Sequence, residues 1–178
     1  MSSNLAAIAA RLTTEEVAAG VGWYPLARRH AQRMAREHGT TVHRAAGVIA
    51  ALSPRCRWAE NLRRADKALA SGTARGLFAD KANRIIAGDA PLAVLSGQKV
   101  TRFYRNICGN LEPVTLDIWA IAAYLGYKPD EAELKRLIER KGGYERVEGE
   151  YQDTADTLGL RPAEFQASAW VHVRGHAA

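Results

Sequence analysis

The segment PLAVLSGQK, Pro91 to Lys99, runs on through VTRFYRNICGN into LEPVTLD, which ends on Asp117; this stretch decides how the chain reads. Its first part predicts a short helix that turns through Ser96-Gly97 into a second helix carrying Lys99 in its first turn. An amine at a helix N-terminus stands against the positive end of the macrodipole, a setting that favours its nucleophilic form. Asp117 opens the next apolar run, Ile118 to Leu125, where a carboxylate suits the dipole and caps free N–H groups. An amine and a carboxylate facing one cleft can do Schiff-base chemistry with proton transfer. Taken alone, the pair reads more simply as a solvated lysine and a helix cap.

Outward from this stretch, helical periodicity dominates and alternating β-branched pattern is scarce. Thr13-x-x-Glu16 predicts a capping box opening a short helix, and Trp23 to His38 a second helix stopped by Gly39, with Pro25 near its first turn. Val42 to Leu52 is almost wholly apolar and should be the buried central helix, ended by Ser53-Pro54. Arg57 to Ala70 is amphipathic. Further helices are expected at about 79–87, 91–95, 98–108, 117–126, 130–140, 144–158 and 162–173, with Gly and Pro marking the turns. About ten short helices and no internal repeat make this an all-α protein.

Composition narrows the function classes. The 178 residues suffice for one well-buried core or two small lobes, and a quarter of them are charged, as in ordinary soluble domains. No run approaches the roughly eighteen apolar residues of a membrane span, and no cationic, then apolar, leader opens the sequence. Two cysteines, Cys56 and Cys108, are too few for a structural zinc site and read as reduced thiols of a cytoplasmic protein. Charge is uneven. Residues 1–110 hold 17 Lys/Arg against 7 Asp/Glu, net +10, while residues 111–178 hold 8 against 12, net −4. That asymmetry suits a polyanion-facing side, although basic faces also serve solubility alone.

Four pieces of the chain, in order, resemble the helix-hairpin-helix DNA glycosylases of the endonuclease III type. Val48 to Arg55 resembles their helix ending in Leu-Ser-x-Gln, whose last residue probes the duplex; here that residue is Arg55. Gly76 to Ile86 resembles their GLY-x-x-KA-x-x-I helix. Gly97-Gln98-Lys99 resembles the end of the hairpin, and Gly109, Pro113 and Asp117 the loop and its aspartate. Gln166 to Gly175 resembles the late helix ending in Gly, so the likeness covers roughly residues 42–175. The hairpin keeps only its last glycine, the usual Thr-His after the aspartate is Ile118-Trp119, and a four-cysteine cluster motif is missing. The chain is similar in this to compact, phage-encoded members, and no iron–sulfur cluster is expected.

The resemblance implies a two-lobed helical bundle, with residues 42–126 in one lobe, 1–41 and 127–178 in the other, and Asp117 at the edge of a cleft. It implies a monomeric, cytoplasmic DNA glycosylase with abasic-site lyase activity, acting on a base extruded from duplex DNA without metal or organic cofactor. Lys99 would be the nucleophile and Asp117 the carboxylate that stabilises the oxocarbenium-like sugar. Ser96, Gly97 and Gln98, with Arg55 and Arg57, would hold DNA phosphates; an ordinary αα-turn and surface arginines account for the same residues. Trp119 and Trp58 would stack the extruded base, or else pack as core aromatics. Asn61 would read a base edge, or, as the simpler expectation, stand as an exposed helix residue. Two other readings share the scaffold: a phage-type enzyme that hypermodifies thymine in DNA, and a DNA-binding module without chemistry.

Overall fold

Helical periodicity carries through to the structure. Among the described residues, 3–175 of a computed structural model, every regular element is an α-helix. In chain order these are α1 (Ser3–Ala9), α2 (Thr14–Glu37), α3 (Val42–Leu52), α4 (Trp58–Ser71), α5 (Ala79–Ala87), α6 (Pro91–Val94), α7 (Gln98–Ile107), α8 (Ile118–Leu125), α9 (Glu131–Ile138), α10 (Gly143–Thr157) and α11 (Pro162–Arg174). No helix among them is long and apolar enough to cross a membrane.

Two features depart from the periodicity reading. Helix α1 was not expected, and the two helices expected at the start of the chain are one. The Thr13–Glu16 box does open a helix, with Glu16 N–H donating to Thr13 Oγ1 at 3.2 Å and Thr13 N–H donating to Glu16 Oε2 at 2.8 Å. That helix then runs through Gly20, Gly22 and Pro25 without a break. Gly20 is a packing residue: a Cβ there would collide with the backbone and Oγ of Ser168 on α11, so glycine sets how closely the two helices approach.

The chain divides into two compact units, one of residues 1–24 and 110–177 and the other Pro25–Gly109. These bounds differ from the expected lobes at both ends. Residues 25–41 join the unit of α3 to α7, with Ala27, Ala31 and Met34 of α2 buried. Residues 110–126 join the terminal helices because α10 pins the loop before Asp117 by hydrogen bonds, described below.

In the unit Pro25–Gly109, α3 is the central helix, buried from Ala45 to Leu52 and packed against α4, α5, α6 and α7. Gly47 lets α6 approach it, since a Cβ there would lie 2.8 and 2.9 Å from Pro91 Cγ and Cβ. The end of α3 is set by Pro54, which brings no N–H to its fourth-preceding carbonyl, that of Ala50. Ser53 N–H turns to Ala50 instead, at 3.3 Å, and the Ile49 carbonyl is left to accept Asn61 Nδ2 at 3.1 Å. Asn61 is therefore buried rather than exposed: it ties α4 to α3 and fixes the loop between them.

The other unit has its own core, built on Leu5, Leu116, Ile121, Tyr144, Val147, Tyr151 and Phe165 from α1, α8, α10, α11 and the loop before α8.

Candidate nucleic-acid surface and carboxylate site

The loop from Asn110 to Leu116 carries no regular structure, so its backbone groups need partners from elsewhere. Helix α10 supplies them from one face. Tyr144 Oη donates to the Val114 carbonyl at 2.8 Å and accepts from Leu116 N–H at 2.9 Å, while Glu148 Oε1 accepts from Val114 N–H at 2.8 Å. One turn on, Tyr151 Oη donates to the Ala120 carbonyl at 2.7 Å. Asp117 is thereby held at the N-cap of α8. Its Oδ1 accepts from Trp119 N–H at 3.0 Å and Ala120 N–H at 2.8 Å.

The second oxygen, Oδ2, accepts from the indole Nε1 of Trp170 at 3.3 Å, and the Arg174 guanidinium lies 4.6 Å from the centre of the Trp170 ring. Two buried tyrosines lie near this carboxylate. Burial pushes the Tyr151 hydroxyl well above its ordinary range, and the charge of Asp117 pushes the same way. Burial and Asp117 likewise raise Tyr24, whose hydroxyl donates to Gln166 Oε1 at 2.9 Å. Both hydroxyls therefore stay protonated. The half-buried carboxylate thus sits among fixed N–H donors and neutral phenols.

In the unit Pro25–Gly109, the link between α6 and α7 is exposed at Ser96 and Gly97, as is Gln98, the first residue of α7. Gly97, with φ 82°, stands at the N-cap of α7, and no side chain caps that helix. Ser96 Oγ accepts a hydrogen bond from the Lys81 ammonium. Lys99 is half-buried in the first turn of α7 and makes no hydrogen bond or ion pair with a described residue.

Arg55 and Arg57 are exposed in the loop from α3 to α4, and Arg55 has φ 56°. Phe78, at the N-cap of α5, has φ 66°, and Leu77 beside it is among the most exposed hydrophobic residues. Arg64 links the two loops, its guanidinium 3.9 Å from Cys56 Sγ and donating to the Leu77 carbonyl at 3.3 Å. Non-glycine residues in the left-handed region cost free energy and cluster where a surface is shaped for contact. Trp58 packs edge-on to His30 and to Phe103, each with centroids 6.2 Å apart, in an aromatic cluster where Phe103 is buried and Trp58 and His30 are half-buried.

Residues 25–109 hold 16 Lys/Arg against 5 Asp/Glu, net +11, and the remaining residues hold 9 against 14, net −5. The basic charge thus follows the unit that carries the α6–α7 turn and the two loops with left-handed residues. The chain belongs to the family DUF7178. That family, one of unknown function, matches residues 1–177, and neither a curated protein nor a solved structure matches the chain.

Within this DUF7178 chain, Lys99, Ser96, Gly97, Gln98, Arg55, Arg57 and Trp58 fall in the unit Pro25–Gly109, and Asp117 and Trp119 in the other. Trp119 faces a pocket of about 400 Å³ that Asp117 does not line. Sequence reasoning missed the residues that hold Asp117 in place. Tyr144, Glu148 and Tyr151 repeat at helical spacing, a readable stripe whose polar tips signal a backbone partner. Nothing local marks Trp170 as the partner of a residue 53 positions earlier.

Proposed function

We propose that the chain is a DNA glycosylase with abasic-site lyase activity, acting on a base extruded from duplex DNA. The observation that carries this reading is the Asp117 carboxylate, held by two backbone amides and one indole N–H on a loop fixed by buried side chains. A negative group pre-oriented in this way stabilises positive charge developing on a sugar as its glycosidic bond lengthens. The supporting observation is the strongly basic unit, whose uncapped helix start after Gly97 and exposed Arg55 and Arg57 suit phosphate oxygens.

In the proposed reaction the Lys99 amine attacks C1′ of the extruded nucleotide. The bond from C1′ to the base breaks, the base leaves with the electron pair and takes up a proton, and the amine loses a proton. Opening of the sugar ring gives an imine, from which β-elimination expels the 3′ phosphate. Binding at the hairpin and at Arg55 is electrostatic, and the extruded base is released whole.

The test is incubation of the chain with a panel of duplexes carrying modified bases, scoring base release and strand scission separately, with borohydride to trap the imine. Released base and a trapped adduct that disappears in Lys99→Gln are expected. Base conversion without release would favour the thymine-modifying reading, and duplex binding with no product would favour a binding module.

A further inference from the structure

We propose that the pocket beside Trp119 binds a nucleoside monophosphate, at a site independent of the glycosylase roles assigned to Asp117 and Lys99. All its lining residues belong to the unit of residues 1–24 and 110–177. Its volume of about 400 Å³ lies within the size range of small-molecule sites.

Three kinds of group meet there. The first is cationic. Arg11 is exposed and makes no hydrogen bond or ion pair with a described residue, and Lys128 is exposed with its ammonium 4.6 Å from the centre of the Trp119 ring. A guanidinium and an ammonium without carboxylate partners attract a doubly charged phosphate, the guanidinium through paired N–H donors.

The second is a flat apolar surface. The Trp119 indole and the Ile8 side chain line the same pocket, which suits a planar ring more than a flexible carboxylic acid. The third is a set of polar atoms at fixed positions. Asn4 donates through Nδ2 to the Tyr124 carbonyl at 3.1 Å, which leaves its carbonyl oxygen as an acceptor for a base N–H. His172 is bonded through Nδ1 to Glu16 Oε1 at 3.0 Å, so its ring is held and Nε2 is left for the pocket.

Each alternative lacks one component. Inorganic phosphate would use the cations and leave the apolar lining of Ile8 and Trp119 unfilled, and an uncharged nucleoside would fill that lining and leave two cations without an anion. The nucleotide satisfies both.

Isothermal titration of the full chain with dTMP, dAMP, thymidine and inorganic phosphate tests the assignment. A mononucleotide should bind with a dissociation constant below a millimolar, and thymidine and phosphate at least about tenfold more weakly. The double variant Arg11→Gln, Lys128→Gln alters two exposed side chains, so its far-UV circular dichroism should match the wild type while its mononucleotide affinity falls at least about tenfold. Heat of binding that is absent at millimolar dTMP and dAMP, unchanged in the double variant, or equal for phosphate alone would overturn the proposal.

Discussion

Asp117 receives three N–H donors, and they divide between its oxygens: two amides on Oδ1 and the Trp170 indole on Oδ2. That division separates capping from electrostatics. Asp117→Asn keeps a carbonyl oxygen for the amides and removes the charge, so the variant should fold and bind duplex DNA. On a duplex that the wild type processes, single-turnover base release should slow by about a hundredfold or more. Trp170→Phe removes one hydrogen bond to the same carboxylate and should slow release by about tenfold. Full activity in Asp117→Asn would reduce the residue to a helix cap. Asp117 was legible in sequence because a Pro-containing loop meets an apolar run there. Its supports were not, because Tyr144, Tyr151 and Trp170 act through contacts of long sequence separation.

Among the elements, α3 and α4 are joined by a loop that holds Arg55 in the left-handed region. Glycine adopts that backbone freely and alanine does not. Arg55→Gly should therefore exceed Arg55→Ala in stability by about 1 kcal/mol in urea denaturation, although both lose the same charge. Equal midpoints would show that the loop relaxes without cost. Helix α2 makes a pH prediction. Thr13 N–H, chiefly, and His172 hold the Glu16 carboxyl below its ordinary range. A lowered folded value means that Glu16 contributes stability above the unfolded glutamate range and loses it as pH falls through the folded value. Between about pH 6 and pH 3, wild type should thus lose more stability than Glu16→Gln, read as the shift in urea midpoint with pH. The helices from α3 to α7 were legible from apolar periodicity and from their Gly and Pro boundaries. The single α2 was not: two glycines and a proline within six residues carry the local signature of a break, and Gly20's contact with α11 is what gives one of them another meaning.

At the scale of the molecule, the charge pattern is sharper than the sequence halves suggested. A net +11 gathers in Pro25–Gly109, while the rest carries −5. Duplex affinity should fall linearly with the logarithm of salt concentration, because each phosphate contact releases condensed counterions. Arg55→Gln with Arg57→Gln should reduce that slope by about 0.9 per contact, or about 1.8 together, measured by fluorescence anisotropy between low and physiological salt. A slope unchanged in the double variant would place the duplex elsewhere on the basic unit. The concentration was partly hidden in the sequence because Arg11, Glu15 and Glu16 precede Pro25 and belong to the acidic unit.

The exchange of partners at the end of α3 makes Pro54 and Asn61 an epistatic pair. A proline at 54 is what leaves the Ile49 carbonyl for Asn61, and Asn61 is what spares that carbonyl the cost of burial without a donor. Pro54→Ala restores a backbone N–H for Ala50, lets Ser53 return to Ile49, and turns the Asn61 amide into a surplus buried donor. The effects of Pro54→Ala and Asn61→Ala on stability should therefore be non-additive, with a coupling of about 0.5 to 3 kcal/mol in a double-mutant cycle. A coupling near zero would mean that the two positions vary freely. Otherwise the order of substitution matters: a chain that drifts at 61 while keeping proline at 54 passes through a destabilised ancestor, and one that changes both together does not.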